Sequence, residues 1–125
     1  MKGGEKMSKE VIKKCRKELR GYKDLETLIQ KFLPGKWDKI ELLAYFVLKK
    51  QIIDNIYFNL NDKGRQYMQE RYFEGNPELT FVKYADLLGY DDERQVRYID
   101  QKIIRELEKE LKKLHEIIFF TQFNK

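Results

Sequence analysis

Apolar positions recur along most of the chain in steps of three and four, the spacing that lines one face of an α-helix. Val11, Ile12, Cys15, Leu19 and Tyr22 form the first stripe, and Leu25, Leu28, Ile29 and Phe32 resume it beyond Gly21. With Ser8 as N-cap and Val11 as a staple-like neighbour, the pattern predicts a helix, or a helix pair weakened at Gly21, over about Lys9 to Phe32. "LPGKWD" (Leu33 to Asp38) breaks it, with Trp37 expected to cap the core. Asp38 is the expected cap of a second helix running to about Asn59. That helix is apolar on more than one face, which places it at the centre of the core or in a subunit interface, the core being preferred. Asp62 is expected to cap a helix to Phe73, and "EGNPE" (Glu74 to Glu78) to turn the chain, with Gly75 at the helix end and Pro77 beyond it.

The last third of the chain carries the densest pattern. Thr80 is a predicted N-cap, and Phe81, Tyr84, Ala85 and Leu88 share one face of a short helix. Gly89 suits a left-handed C-cap, and Asp92 opens the next helix with Gln95 as a capping-box partner. A short helix, a glycine turn and a capped second helix make a helix-turn-helix plausible. On the wheel of the second helix, Val96, Ile99, Ile103 and Leu107 share the inner face, and Asp100 lies toward it. Arg94, Arg97, Tyr98, Gln101 and Arg105 occupy the opposite face, where a recognition helix needs groups for base edges and phosphates. The stripe continues through Leu107, Leu111, Leu114 and Ile118, spaced for a coiled-coil seam or for docking onto the N-terminal helices.

The expected fold is all-α: a small helical bundle with a C-terminal helix-turn-helix and a long final helix. Residues 8–59 form the N-terminal helical region, for core or oligomerisation, and 60–125 the helix-turn-helix with its extended helix. Composition agrees, since 38% of the 125 residues are charged, 42% are apolar and only two are proline. The net charge of +5 permits a polyanionic partner without requiring one. The single cysteine, Cys15, excludes an internal disulfide, and no Cys/His set has zinc spacing. The longest apolar run, Leu42 to Leu48, is too short to span a bilayer, and no apolar signal segment is read at the N-terminus; a cytoplasmic protein is expected. "MKGGEKMS" back-translates to a purine-rich ribosome-binding sequence ahead of a start codon, so Met7 is a candidate start. His115, the sole histidine, is read as an exposed or packing residue. No nucleophile signature, phosphate loop or metal motif is present, so neither enzymatic activity nor a cofactor is expected.

"RYFEG" (Arg71 to Gly75), "LTFVKYADLLGY" (Leu79 to Tyr90) and "ERQVRYIDQKIIREL" (Glu93 to Leu107) together resemble region four of bacterial sigma factors. They resemble still more closely the small ArpU/RinA-type phage transcriptional regulators, over about Leu60 to Leu107. "CRKELRGYKDLETLIQKF" (Cys15 to Phe32) is similar to the N-terminal helix of some of those proteins. The resemblance implies binding to double-stranded promoter-region DNA and control of phage or mobile-element genes, with RNA polymerase as a further partner. It places Thr80 and Lys83 near phosphates, and Arg94, Gln95, Arg97, Tyr98 and Gln101 on the recognition helix. Phe73, Tyr84, Ala85, Leu88, Val96 and Ile99 would be core. Two departures stand out: "NPE" (Asn76 to Glu78) looks inserted, and the turn "GYDDERQV" is one residue longer than the family's usual spacing. Asp91 and Asp92 also bring negative charge to the end that faces DNA, favouring the helix N-terminus but repelling phosphates. The apolar end, "IIFFTQF" (Ile117 to Phe123), favours a homodimer. Two alternatives remain: a module that binds polymerase or a sigma factor without reading DNA, and a small DNA-packaging (terminase) subunit.

Overall fold

The computed structural model describes residues 7–32, 40–74 and 78–123, with side chains over 7–31, 42–74 and 78–118. Every regular element among them is helical, so the all-α expectation holds. The helices are α1 (Lys9–Arg20), α2 (Tyr22–Phe32), α3 (Ile40–Phe58), α4 (Asp62–Met68) with a π turn (Gln69–Phe73), α5 (Phe81–Leu88) and α6 (Glu93–Phe123). The expected roles of Trp37, Asp38, Gly75 and Pro77 lie outside the described residues.

Local chemistry accounts for most boundaries. The Ser8 hydroxyl accepts the Val11 N–H at 3.1 Å and starts α1. At Gly21 the chain kinks at negative φ (φ −82°, ψ 4°), outside helical geometry, and the Gly21 and Leu25 N–H groups still bond back to the Lys17 and Gly21 carbonyls. The single predicted stretch is thus two helices. The kink lays α2 along α3, where Leu25 is buried and Tyr22 stacks on Phe73 with ring centroids 4.5 Å apart.

One expected cap needs correction. Asn61, not Asp62, caps α4: its Oδ1 accepts the Gly64 N–H at 2.8 Å, while Asp62 is the first helical residue. The helix expected to run to Phe73 also changes character, its last five residues forming a π turn. A π turn widens the helix by one residue per turn. Here Arg71, Tyr72 and Phe73, three residues in succession, are all buried.

α3 packs against α2 on one side and α6 on another, burying Ile53 and Ile56. Its central place was expected, but Leu42, Leu48 and Phe58 remain exposed on the rest of its surface. Lys49 is buried at 8% exposure, bonded to Glu18 at 2.9 Å and lying over the Tyr45 ring. A buried ammonium needs such a partner, because desolvation otherwise disfavours its charge.

The N-terminal and C-terminal segments share one core. Cys15, Leu19, Leu25 and Ile53 join Tyr67, Met68, Tyr84, Val96, Ile103 and Leu107 in a single cluster. Leu107, Leu111 and Leu114 are buried and Ile118 is partly buried, with α1 and α3 of the same chain packed on α6. The stripe read as a possible seam between copies is therefore spent inside the chain, and only its docking alternative is met. Of "IIFFTQF", Ile117 is exposed, and the side chains beyond Ile118 lie outside the described ones.

Candidate nucleic-acid interface

The α5–α6 corner forms as its residues dictate. Thr80 accepts the Lys83 N–H at 3.2 Å and opens α5. Gly89 closes it in the left-handed region (φ 77°, ψ 28°), the only described residue at positive φ. The Tyr90 N–H bonds back to the Ala85 carbonyl. At the start of α6, Asp92 Oδ1 accepts the Arg94 N–H at 2.6 Å. The Gln95 side chain does reach back, but to the N–H of Asp91 (3.0 Å), one residue before the cap where a capping box would place it. Asp91 and Asp92 lie in the bend before α6, which begins at Glu93.

The two faces of α6 separate as the wheel predicts. Val96, Ile103 and Leu107 are fully buried and Asp100 is 2% exposed. Thr80, Lys83, Arg94, Gln95, Arg97, Tyr98, Gln101 and Arg105 are all exposed. Of the expected core positions, Phe73, Tyr84, Ala85 and Val96 are buried, and Leu88 and Ile99 are partly so.

Two of the arginines are already engaged. Arg94 folds back onto Asp92 at 2.9 Å, a contact that lowers the Asp92 pKa and raises that of Arg94. Arg97 pairs with Glu93 at 3.2 Å and lies 4.8 Å from the Phe81 ring centroid. Exposed pairs of this kind are worth little and exchange readily for another anion. The face is nearly balanced, with Lys83, Arg94, Arg97, Lys102 and Arg105 against Asp86, Asp91, Asp92 and Glu93. Non-specific attraction to a polyanion is correspondingly modest.

The fold adds residues that the pattern did not single out. An open groove of about 560 Å³ between α4 and α6 is lined by Asn61, Lys63, Tyr90, Arg94, Tyr98 and Lys102, among others. Lys63 donates to the Gly89 carbonyl at 2.7 Å and lies over the Tyr90 ring, tying α4 to the turn. Burial raises the pKa of Tyr90, whose hydroxyl is enclosed without a hydrogen-bond partner. Lys102 follows Tyr98 by four residues and was legible on the wheel; Lys63 reaches the site only through tertiary contact.

Behind the face lies a buried polar network. Asp100 accepts hydrogen bonds from Tyr67 (2.8 Å), Tyr72 (2.6 Å) and Arg16 (2.8 Å), with Arg71 at 3.5 Å. Burial, and then the Asp100 charge, push both tyrosines far above the ordinary range, so they remain O–H donors. Arg71 also donates to the Tyr67 hydroxyl and lies against the Tyr72, Phe81 and Tyr84 rings. This network fixes the rotation of α6 about its own axis and so decides which residues face outward.

Among the described residues there is no group of three or more side chains able to hold a metal ion, and no helix is long and apolar enough to cross a membrane. His115 is exposed and meets the Tyr45 hydroxyl at 3.0 Å, a packing contact as expected. Comparison with protein-family models, curated proteins and solved structures finds no match for the chain.

Proposed function

We propose that this chain is a sequence-specific DNA-binding transcriptional regulator of the sigma-region-four-like, phage or mobile-element type, reading DNA through the N-terminal half of α6. One observation carries the reading. A left-handed glycine turn joins α5 to a helix whose Arg94, Arg97, Tyr98, Gln101 and Arg105 all face solvent, while Val96, Asp100 and Ile103 hold its other face. Arginine and glutamine at such positions supply bidentate donors to base edges, each good arginine–guanine pair contributing about 1–3 kcal/mol of discrimination. Thr80 and Lys83, exposed at the start of α5, would contact phosphates. RNA polymerase and a second copy belong to this proposal as partners; a two-fold dimer would set half-sites about one helical turn apart.

The test is recovery of genomic fragments at moderate salt by the wild type and by an Arg94→Ala/Arg97→Ala double variant. Both side chains are exposed, so the variant is expected to keep its stability within about 0.5 kcal/mol. Discrete enriched sites that vanish in the variant are the expected result. Equal, featureless recovery by both proteins would sink the proposal.

A second reading has its own support. Asp92 and Glu93 already neutralise Arg94 and Arg97, and Val82 and Leu87 leave α5 with exposed apolar side chains. These features suit a protein surface, of polymerase or of a sigma factor, and predict association with no steep dependence on salt.

A further inference from the structure

We propose that Arg16, Arg20 and Arg71 form an oxyanion site for a phosphate group, occupied in this structure by the carboxylate of Glu78. The three guanidinium groups converge on that one side chain. Glu78 Oε1 accepts from Arg71 and, at 3.4 Å, from Arg16, and its Oε2 pairs with Arg20 at 3.0 Å. The cations come from α1 and from the π turn, and the carboxylate from the segment leading into α5.

Charge and valence both leave room for a larger anion. The three arginines bring three positive charges, and Asp100 and Glu78 return two negative ones, leaving one in excess. A phosphate monoester carries about −1.5 to −2 at neutral pH, so exchanging it for Glu78 brings the cluster close to neutrality. Its three oxygens also exceed the two of a carboxylate. Two of the cluster's guanidinium donors, Arg16 Nε and Arg71 Nε, are buried without a hydrogen-bond partner. An unsatisfied buried donor costs stability until something accepts from it.

The present occupant is built to leave. Glu78 is 46% exposed and lies outside any helix, so its departure breaks no helical hydrogen bond. Arg71, 3% exposed and braced by Tyr67 and Asp100, forms the fixed back wall. Arg16 and Arg20, 24% and 44% exposed, form the open rim. Binding would release the Glu78 side chain, while Leu79 and Thr80 stay held by the core and by the α5 cap. The inference stands apart from the DNA proposal: a backbone phosphodiester brings one charge and two free oxygens, no more than Glu78 already supplies, so the site fits a phosphomonoester.

The test is a titration with inorganic phosphate, followed by the arginine side-chain N–H resonances, in the wild type, Glu78→Gln and Arg20→Ala. Saturable shifts at Arg20 and Arg71 are expected in the wild type. Removing the internal competitor should tighten apparent binding about fivefold or more in Glu78→Gln, in proportion to the fraction of open sites. Arg20→Ala, at the exposed rim, should lose the response. Equal affinity in wild type and Glu78→Gln, or undiminished binding by Arg20→Ala, overturns the proposal. Should Glu78→Gln fail to fold, the wild type against Arg20→Ala still decides. A nucleoside 5′-monophosphate and an unphosphorylated duplex, each competed against inorganic phosphate, separate the sources. Competition by the monophosphate and not by the duplex is the expected result, and equal competition by the duplex overturns the assignment to a phosphomonoester.

Discussion

Asp100 lies one helical turn beyond Val96 on the inner face of α6 and keeps its carboxylate almost wholly out of water, with Tyr67, Tyr72 and Arg16 as donors. Asp100→Asn removes the charge while Arg16 and Arg71 stay partly or fully buried beside it. Breaking a buried pair in this way costs about 3–5 kcal/mol, and urea unfolding should show a loss of that order. A change under 1 kcal/mol would mean the network is not the clamp described here. The wheel placed Asp100 inward, so its unusual position was legible in the sequence. Its partners were not: Arg16 is 84 residues away, and no local pattern pairs them. Cys15 behaves as a buried small apolar residue, and burial, then Glu108 and Glu18, push its thiol from 9.0 up to about 11. Below pH 9.0 the thiol is protonated in both folded and unfolded chains, and its contribution is complete. Above that the unfolded chain ionises first, so stability falls as the pH rises toward about 11. Urea midpoints across this window should drop less steeply in Cys15→Ala than in the wild type.

At the scale of the element, caps and turns were the most readable features. Ser8, Thr80 and Gly89 act where their chemistry placed them, since each contact spans only a few residues. The start of α4 was misassigned by one position because Asn61 and Asp62 are both capable caps and adjacent. The distinction is measurable. Asn61→Ala should cost about 1 kcal/mol, while Asp62→Ala, losing only an exposed pair with Arg65, should cost about 0.5 kcal/mol or less. Gly89→Ala meets no atom within 4 Å, so its cost is the left-handed backbone alone, about 1–2 kcal/mol. Thermal or urea unfolding of the three variants checks the order. The π turn was invisible in the sequence, because "QERYF" carries apolar positions that fit an ordinary helix equally well. What selects the wider turn is tertiary: Arg71 and Tyr72 both reach the Asp100 network, and Phe73 stacks on Tyr22.

At the scale of the whole molecule, the all-α class and the division of α6 into a buried and an exposed face followed from periodicity alone. The route by which the N-terminal helices cover the Leu107–Leu114 stripe did not, because the same spacing serves an internal core and a seam between copies equally well. The candidate face was legible as a set of residues, though not as an electrostatic surface, since its acidic partners come from the turn beside it. α6 spans 31 residues with no glycine or proline, a rod about 46 Å long at 1.5 Å per residue. Its two ends therefore share one torsional phase. The Asp100 network sets that phase near the start, and Leu111 and Leu114 must find their pockets about three to four turns later with no joint in between to correct an error. One alanine inserted between Lys109 and Glu110 should turn the distal stripe by about 100° and expose both leucines. The cost should be about 3 kcal/mol or more in urea unfolding, from two displaced core side chains. The same insertion leaves the register of Arg94 to Arg105 with Asp100 unaltered, so each half of the rod answers to its own anchor, and a length change between them is felt as rotation.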